Sequence, residues 1–176
     1  MRIYITGAAG SGTSTLGRAL ADTLGIAHFD MDQVYWLPSD PPYTKQRPLE
    51  ACRQLLRRAF AEAGSWTLSG HLGPWGKEFY PQFEMVIFLL VPTEVRLARL
   101  LARERQGPHA AHFAPGGAGH ESFLLFYNWA AAYDTGGTHL RSRAHHERFL
   151  GRVSCPVLRL DGERPTAQLV EESLAA

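Results

Sequence analysis

A chain of 176 residues, 45 % hydrophobic and 20 % charged, is ordinary globular material. It is long enough to bury about 70 % of its unfolded surface, which excludes a disordered chain. Eighteen Lys and Arg against seventeen Asp and Glu leave a net charge of +1, which argues against nucleic-acid binding through bulk charge.

Cys52 and Cys155 form no CxxC pair, which suits a reduced compartment. Glycine breaks the N-terminal run at Gly7, too early for a secretory leader, and the longest apolar run, residues 85–91, is too short to cross a bilayer. These features predict a cytoplasmic protein with no membrane partner.

In chain order, residues 2–6 (RIYIT) predict a strand running into a glycine-rich turn, and residues 16–24 a helix stopped by Gly25. Residues 26–30 read as a second strand. Residues 31–47, with Trp36, Tyr43 and several prolines, read as an irregular loop. Pro48 opens a helix over 48–63. Residues 66–70 form a third strand and 71–84 an irregular stretch. The continuous apolar run 85–91 predicts a strand buried on both faces.

A helix follows over 93–105, then a glycine-rich, mobile loop over 106–119. Helices over 121–134 and 139–150 are split by Thr135, Gly136 and Gly137. Residues 156–160 form a fifth strand and 165–175 a last helix. Alternation of strands and helices predicts a parallel sheet with helices on both faces. No internal repeat or linker divides the chain, which predicts a single domain over 1–176.

The strongest motif is Gly7-Ala8-Ala9-Gly10-Ser11-Gly12-Thr13-Ser14-Thr15, placed after a strand and at the opening of a helix. In that setting backbone N–H groups freed by glycine, and the helix N-terminus, converge on phosphate oxygens. Aligned on G-x-x-x-x-G-K-[ST], Gly7 and Gly12 are the glycines and Ser14 is the hydroxyl for Mg²⁺. Thr13 stands where lysine is expected. It is neutral and too short to reach terminal phosphates, and losing one such donor costs about 10²–10³ in rate. Lys45 and Lys77 are the only lysines beside sixteen arginines, so an arginine of the 93–105 helix is the expected replacement cation and Lys77 the alternative.

On these residues the chain resembles, over its whole length, the P-loop small-molecule and nucleoside-monophosphate kinases. These are the adenylate, shikimate and gluconate kinase group, including adenylate-kinase-like proteins described as topology-modulation or AAA-family ATPases. The resemblance implies a three-layer α/β/α fold with a five-stranded parallel sheet in the order 2-3-1-4-5. It also implies an acceptor-side region near 31–65 and a lid near 104–120.

Implied cofactors are ATP and Mg²⁺, with ATP on Gly7, Gly10, Ser11, Gly12, Thr13, Ser14 and Thr15. Ser14 and, through water, Asp30 would hold the metal. Asp32, the second carboxylate of Asp30-Met31-Asp32, would orient or deprotonate an acceptor hydroxyl. Arg99 and Arg103 would meet the transferring phosphoryl group, and Tyr35, Gly70, His71 and Arg141 the unidentified small-molecule acceptor.

Arg96, Arg99 and Arg103 lie at i, i+3, i+7, one face of a helix. Arg141, His145 and Arg148 share another face at i, i+4, i+7. Trp36 and Trp75 are further candidates for an acceptor pocket. His109, His112 and His120 bracket the 106–119 loop, but irregular spacing and absent cysteine argue against zinc. The expected activity is phosphoryl transfer to a small-molecule hydroxyl or a nucleoside monophosphate. The alternative is a nucleotide-binding sensor without turnover, which Thr13 favours.

Overall fold

The computed structural model describes residues 1–40 and 42–176; Pro41, in the predicted 31–47 loop, lies outside the described residues. The described residues group into two compact units. One comprises Met1–Gly7, Gly12–Leu90 and Arg152–Ala176, and the other Ala8–Ser11 and Val91–Gly151.

The first unit holds the whole sheet: β1 (Arg2–Gly7), β2 (Ala27–Asp30), β3 (Trp66–Ser69), β4 (Met85–Leu90) and β5 (Val157–Asp161). All pairings are parallel, in the order β2-β3-β1-β4-β5. Its helices are α1 (Thr13–Leu24), α2 (Met31–Tyr35), α3 (Leu49–Ala63) and α8 (Thr166–Leu174), with a 3₁₀ helix over Pro74–Gln82.

Period-2 alternation sends Ile3 and Ile5 of β1 to one face, where they pack with Leu16 and Leu20 of α1, Ile87 and Leu89 of β4, Leu160 of β5 and Leu169 and Val170 of α8. Each such side chain contributes about 1.5–3 kcal/mol by leaving water. The opposite face is aromatic. Phe60 of α3 stacks on Trp66 at 3.9 Å between centroids, Phe79 meets Phe60 edge-on, and Tyr4 stacks on Phe83. The sheet is thus covered on both faces, the expected three-layer arrangement.

β3 lies between β1 and β2 and is buried throughout, so its polar side chains need partners inside the protein. Thr67 Oγ1 donates to Gly17 O, and Ser69 Oγ pairs with His28 Nε2 at 2.9 Å. Burial pushes the His28 pKa down, against the opposing charge of Asp30.

The second unit contains α4 (Thr93–Gln106), α5 (Ala110–Phe113), α6 (His120–Ala131) and α7 (Arg143–Leu150). Several local expectations change: residues 71–84, expected to be irregular, hold the 3₁₀ helix, and the helix expected over 139–150 begins at Arg143. The stretch after β2 begins as a helix, α2, because the Asp30 side chain accepts the Asp32 N–H as an N-cap. The predicted loop 106–119 contains α5. Its end is tied down by Gly119 N–H to His112 O, and His120 Nδ1 lies 2.9 Å from Phe113 O. Among the described residues no helix is long and apolar enough to cross a membrane.

Candidate functional site

In a parallel sheet, the C-terminal strand ends and the loops that leave them form one edge, the usual place for ligands in open α/β folds. Here β1 runs into the glycine loop, β2 ends in Asp30, and β3, between them, ends in Ser69 before Gly70 and His71. The register sets Asp30 opposite Ser69 and Ser69 opposite Ile5. Strand spacing places the β1 and β2 ends about 10 Å apart.

The glycine loop is built by backbone geometry. Ser11 N–H closes a turn on Ala8 O at 3.1 Å, with Gly10 at φ +81°. This is the pattern of a type II turn, whose third residue needs positive φ. Gly12 follows at φ +93° and ψ 17° as the residue before α1, and no side chain caps that helix.

Ser11 is 1 % exposed, yet among the described residues its hydroxyl has no hydrogen-bond partner. Native interiors rarely leave such a group unsatisfied. A Cβ built on Gly12 meets nothing within 4 Å. Within its own unit each feature suits an anion: the uncapped start of α1 after Gly12 offers free backbone N–H groups, and the Ser11 hydroxyl is an unmatched donor. Thr13, Ser14 and Thr15 occupy the first turn of α1.

On β2, Asp30 spends Oδ1 on the α2 cap at 2.9 Å, and the exposed Asp32 sits in that helix. Tyr35 closes α2, packing edge-on against Trp36, which in turn meets Tyr43. Leu37 N–H to Lys45 O and Arg47 N–H to Tyr35 O pair the two limbs of this loop.

The turn after β3 is held from below. Tyr4 Oη donates to Gly70 O at 3.0 Å and accepts Leu72 N–H at 2.9 Å. One buried hydroxyl therefore clamps the peptides on both sides of His71. The partners are 66 and 68 residues from Tyr4, so no local sequence signal reveals the clamp. The Trp75 carbonyl accepts from Arg53 Nε, which puts its backbone to structural use.

In the second unit, Arg96, which spacing puts on one face of α4 with Arg99 and Arg103, turns inward. Arg96 is 0 % exposed. Its guanidinium bonds Val91 O, Ala9 O, Ala130 O, Thr93 Oγ1 and Asp134 Oδ2. The carbon of that group sits 5.0 Å from the Tyr133 ring centre. The physical reason is the stripe that Arg96 shares with buried Leu100 at i, i+4, which faces inward.

Arg99 and Arg103 are exposed, and Arg103 pairs with Glu104 at 2.8 Å. Arg141 lies over the Trp129 ring at 5.6 Å. His145 and His146 belong to α7. There Tyr133 Oη and His146 Nδ1 approach to 2.6 Å. Burial, then the charges of Arg141 and His145, push the His146 pKa down to about 3. Among the described residues no group of three or more His, Cys, Asp or Glu side chains could hold a metal ion, His109, His112 and His120 included.

A glycine loop between strand and helix, at one edge of a sheet in this order, defines the class of P-loop proteins with a kinase-like α/β fold. A family model described as "AAA domain" matches residues 3–111, and the chain belongs to that family. It is 38 % identical over 172 residues to the "Uncharacterized protein YqaC" of Bacillus subtilis (strain 168), covering 98 % of this chain and 94 % of that one.

Its fold is similar to that of a shikimate kinase from Bacteroides thetaiotaomicron, with a TM-score of 0.58, 18 % identity and coverage of 100 % and 99 % of the two chains. It is also similar to a shikimate kinase from Aquifex aeolicus, with a TM-score of 0.55, 18 % identity and coverage of 99 % and 94 %. A gluconokinase from Sinorhizobium meliloti gives a TM-score of 0.53 at 19 % identity, covering 99 % and 89 %.

Proposed function

We propose that this protein is a phosphotransferase that binds ATP with Mg²⁺ on residues 7–15 and phosphorylates a small-molecule hydroxyl or a nucleoside monophosphate. The observation that carries the reading is the unmatched, buried Ser11 hydroxyl in a glycine loop ahead of an uncapped helix. The kinase-like fold and the carboxylates at the end of β2 support it.

In this reading the Ser11 hydroxyl and the N–H groups of Gly10, Gly12, Thr13, Ser14 and Thr15 surround the donor phosphates, and Gly7 ends the strand that delivers the loop. Ser14 and, through water, Asp30 hold Mg²⁺, which when bound neutralises charge on the phosphates. Asp32 takes the acceptor's hydroxyl proton. The acceptor oxygen forms a bond to the γ-phosphorus as the bond to the β-γ bridging oxygen breaks, leaving ADP.

Tyr35, Gly70, His71 and Arg141 are assigned to the acceptor, and Arg99 and Arg103 to the transferring group. Arginine serves here because its planar fork matches phosphate oxygens. Such positioning and electrostatics supply most of the catalysis in phosphoryl transfer.

Titration calorimetry with a non-hydrolysable ATP analogue, with and without Mg²⁺, tests the binding step. Micromolar, Mg²⁺-dependent binding is expected, and no binding at millimolar analogue would overturn the reading. Acceptor screening then tests turnover. Asp32→Asn should abolish it while sparing analogue binding, and unchanged turnover would remove Asp32 from its role.

Thr13 favours a second reading, a nucleotide-binding sensor without turnover. Thr13→Lys separates the two: a dormant site gains activity, whereas a site using another cation does not need the lysine.

A further inference from the structure

We propose that Arg96 is a positioning residue for the phosphate loop: it selects the peptide orientation of the Ala8–Ser11 turn from behind, without touching a ligand. The proposal rests on the reading that this loop binds phosphate, and one arm of its test does not depend on that reading.

Type I and type II turns differ by a flip of the central peptide. In the Ala8–Ser11 turn that peptide joins Ala9 to Gly10. The Ala9 carbonyl accepts from Arg96 Nη1 at 3.4 Å. In a planar trans peptide the C=O and the following N–H point in opposite directions. Holding Ala9 O on Arg96 therefore turns Gly10 N–H away from α4, the orientation that frees it for an anion. The backbone is fitted to the same helix, because a Cβ on Gly10 would stand 2.6 Å from Arg96 O.

The guanidinium is itself fixed. Asp134 supplies the counter-charge at 3.2 Å, Thr93 Oγ1 bonds both Arg96 and Asp134, and Val91 O and Ala130 O take further donors. Arg96 is enclosed, whereas Asp134 is 40 % exposed. Only guanidinium has the number and planar spread of donors for this set; lysine has three donors on one atom.

Two readouts test the proposal: the NOE between Ala9 Hα and the Gly10 amide proton in the ligand-free protein, strong in a type II turn and weak in type I, and affinity for the Mg²⁺ complex of a non-hydrolysable ATP analogue. The variants are Arg96→Lys and, as a control, Tyr133→Phe. The control removes the hydroxyl beside His146 in the same helical unit but keeps the ring against Arg96.

Arg96→Lys should weaken that NOE and lower analogue affinity about tenfold. Tyr133→Phe should change neither, even where it lowers thermal stability as much. Equal effects of both variants, or wild-type behaviour of Arg96→Lys, would overturn the proposal. If Arg96→Lys does not fold, Asp134→Asn removes the counter-charge from a half-exposed position. A weakened Ala9–Gly10 NOE then supports the proposal, and a wild-type NOE overturns it. A wild-type protein that binds no analogue refutes the proposed function, while the NOE arm still decides the role of Arg96.

Discussion

Gly10 and Gly12 both hold positive φ, but the protein around them asks different things of each. Alanine at Gly10 must adopt φ +81° and place its methyl 2.6 Å from the Arg96 carbonyl oxygen and 3.2 Å from Leu100 Cγ. The left-handed backbone costs about 1–2 kcal/mol. The overlap is with helix backbone, which cannot swing aside, and overpacking of this kind costs about 1–3 kcal/mol more. Gly10→Ala should therefore destabilise the protein by about 2–5 kcal/mol. Gly12→Ala, at φ +93° with nothing within 4 Å, should lose only the backbone term, about 1–2 kcal/mol. Urea unfolding of both variants beside the wild type measures the difference. The open space beside Gly12 is where the loop would take its anion, so Gly12→Ala should lose analogue affinity out of proportion to its small loss of stability. A Gly12→Ala loss equal to or larger than that of Gly10→Ala would refute the reasoning. So would undiminished binding by Gly12→Ala.

Tyr4→Phe removes the hydroxyl that joins Gly70 O and Leu72 N–H, leaving buried backbone groups without it at a cost of about 1–3 kcal/mol. Exchange of the Leu72 amide should accelerate, and unchanged protection would show that the clamp is not holding the turn. His146 sets a pH dependence. Its pKa is 6.5 ordinarily and about 3 in the fold, so between those values the unfolded chain binds the extra proton. Stability from neutral His146 is full above pH 6.5 and falls as pH drops toward 3, by up to about 1.4 kcal/mol per pH unit. Denaturant unfolding from pH 7.5 to 4.5 should show a flatter profile for His146→Gln than for the wild type. Parallel profiles would rule His146 out as the source.

The phosphate loop is legible in the sequence because its chemistry is local. Glycine positions, a preceding β run and a following helix lie within fifteen residues. The alternation of elements is equally legible, since burial on both faces of a parallel sheet leaves continuous apolar runs such as MVIFLL in β4. α2 escapes a sequence reading because five residues are too few to show a helical period; the only cue is Asp30 as a cap.

Arg96 shows where sequence reasoning stops. Spacing correctly places it near Arg99 and Arg103 around the helix, but periodicity gives angles between residues, not which arc faces inward. Burial of the Arg96–Leu100 stripe depends on its surroundings, Ala9, Ala130 and Asp134, which lie as far as 87 residues away in the chain. The Tyr4 clamp and the unmatched Ser11 hydroxyl are of the same kind. The chain alone determines where a phosphate loop can form, because that depends on backbone freedom over a few adjacent residues. Tertiary structure alone decides which polar groups are spent holding the loop and which remain for a ligand, because each is settled by partners that only folding brings within hydrogen-bond reach.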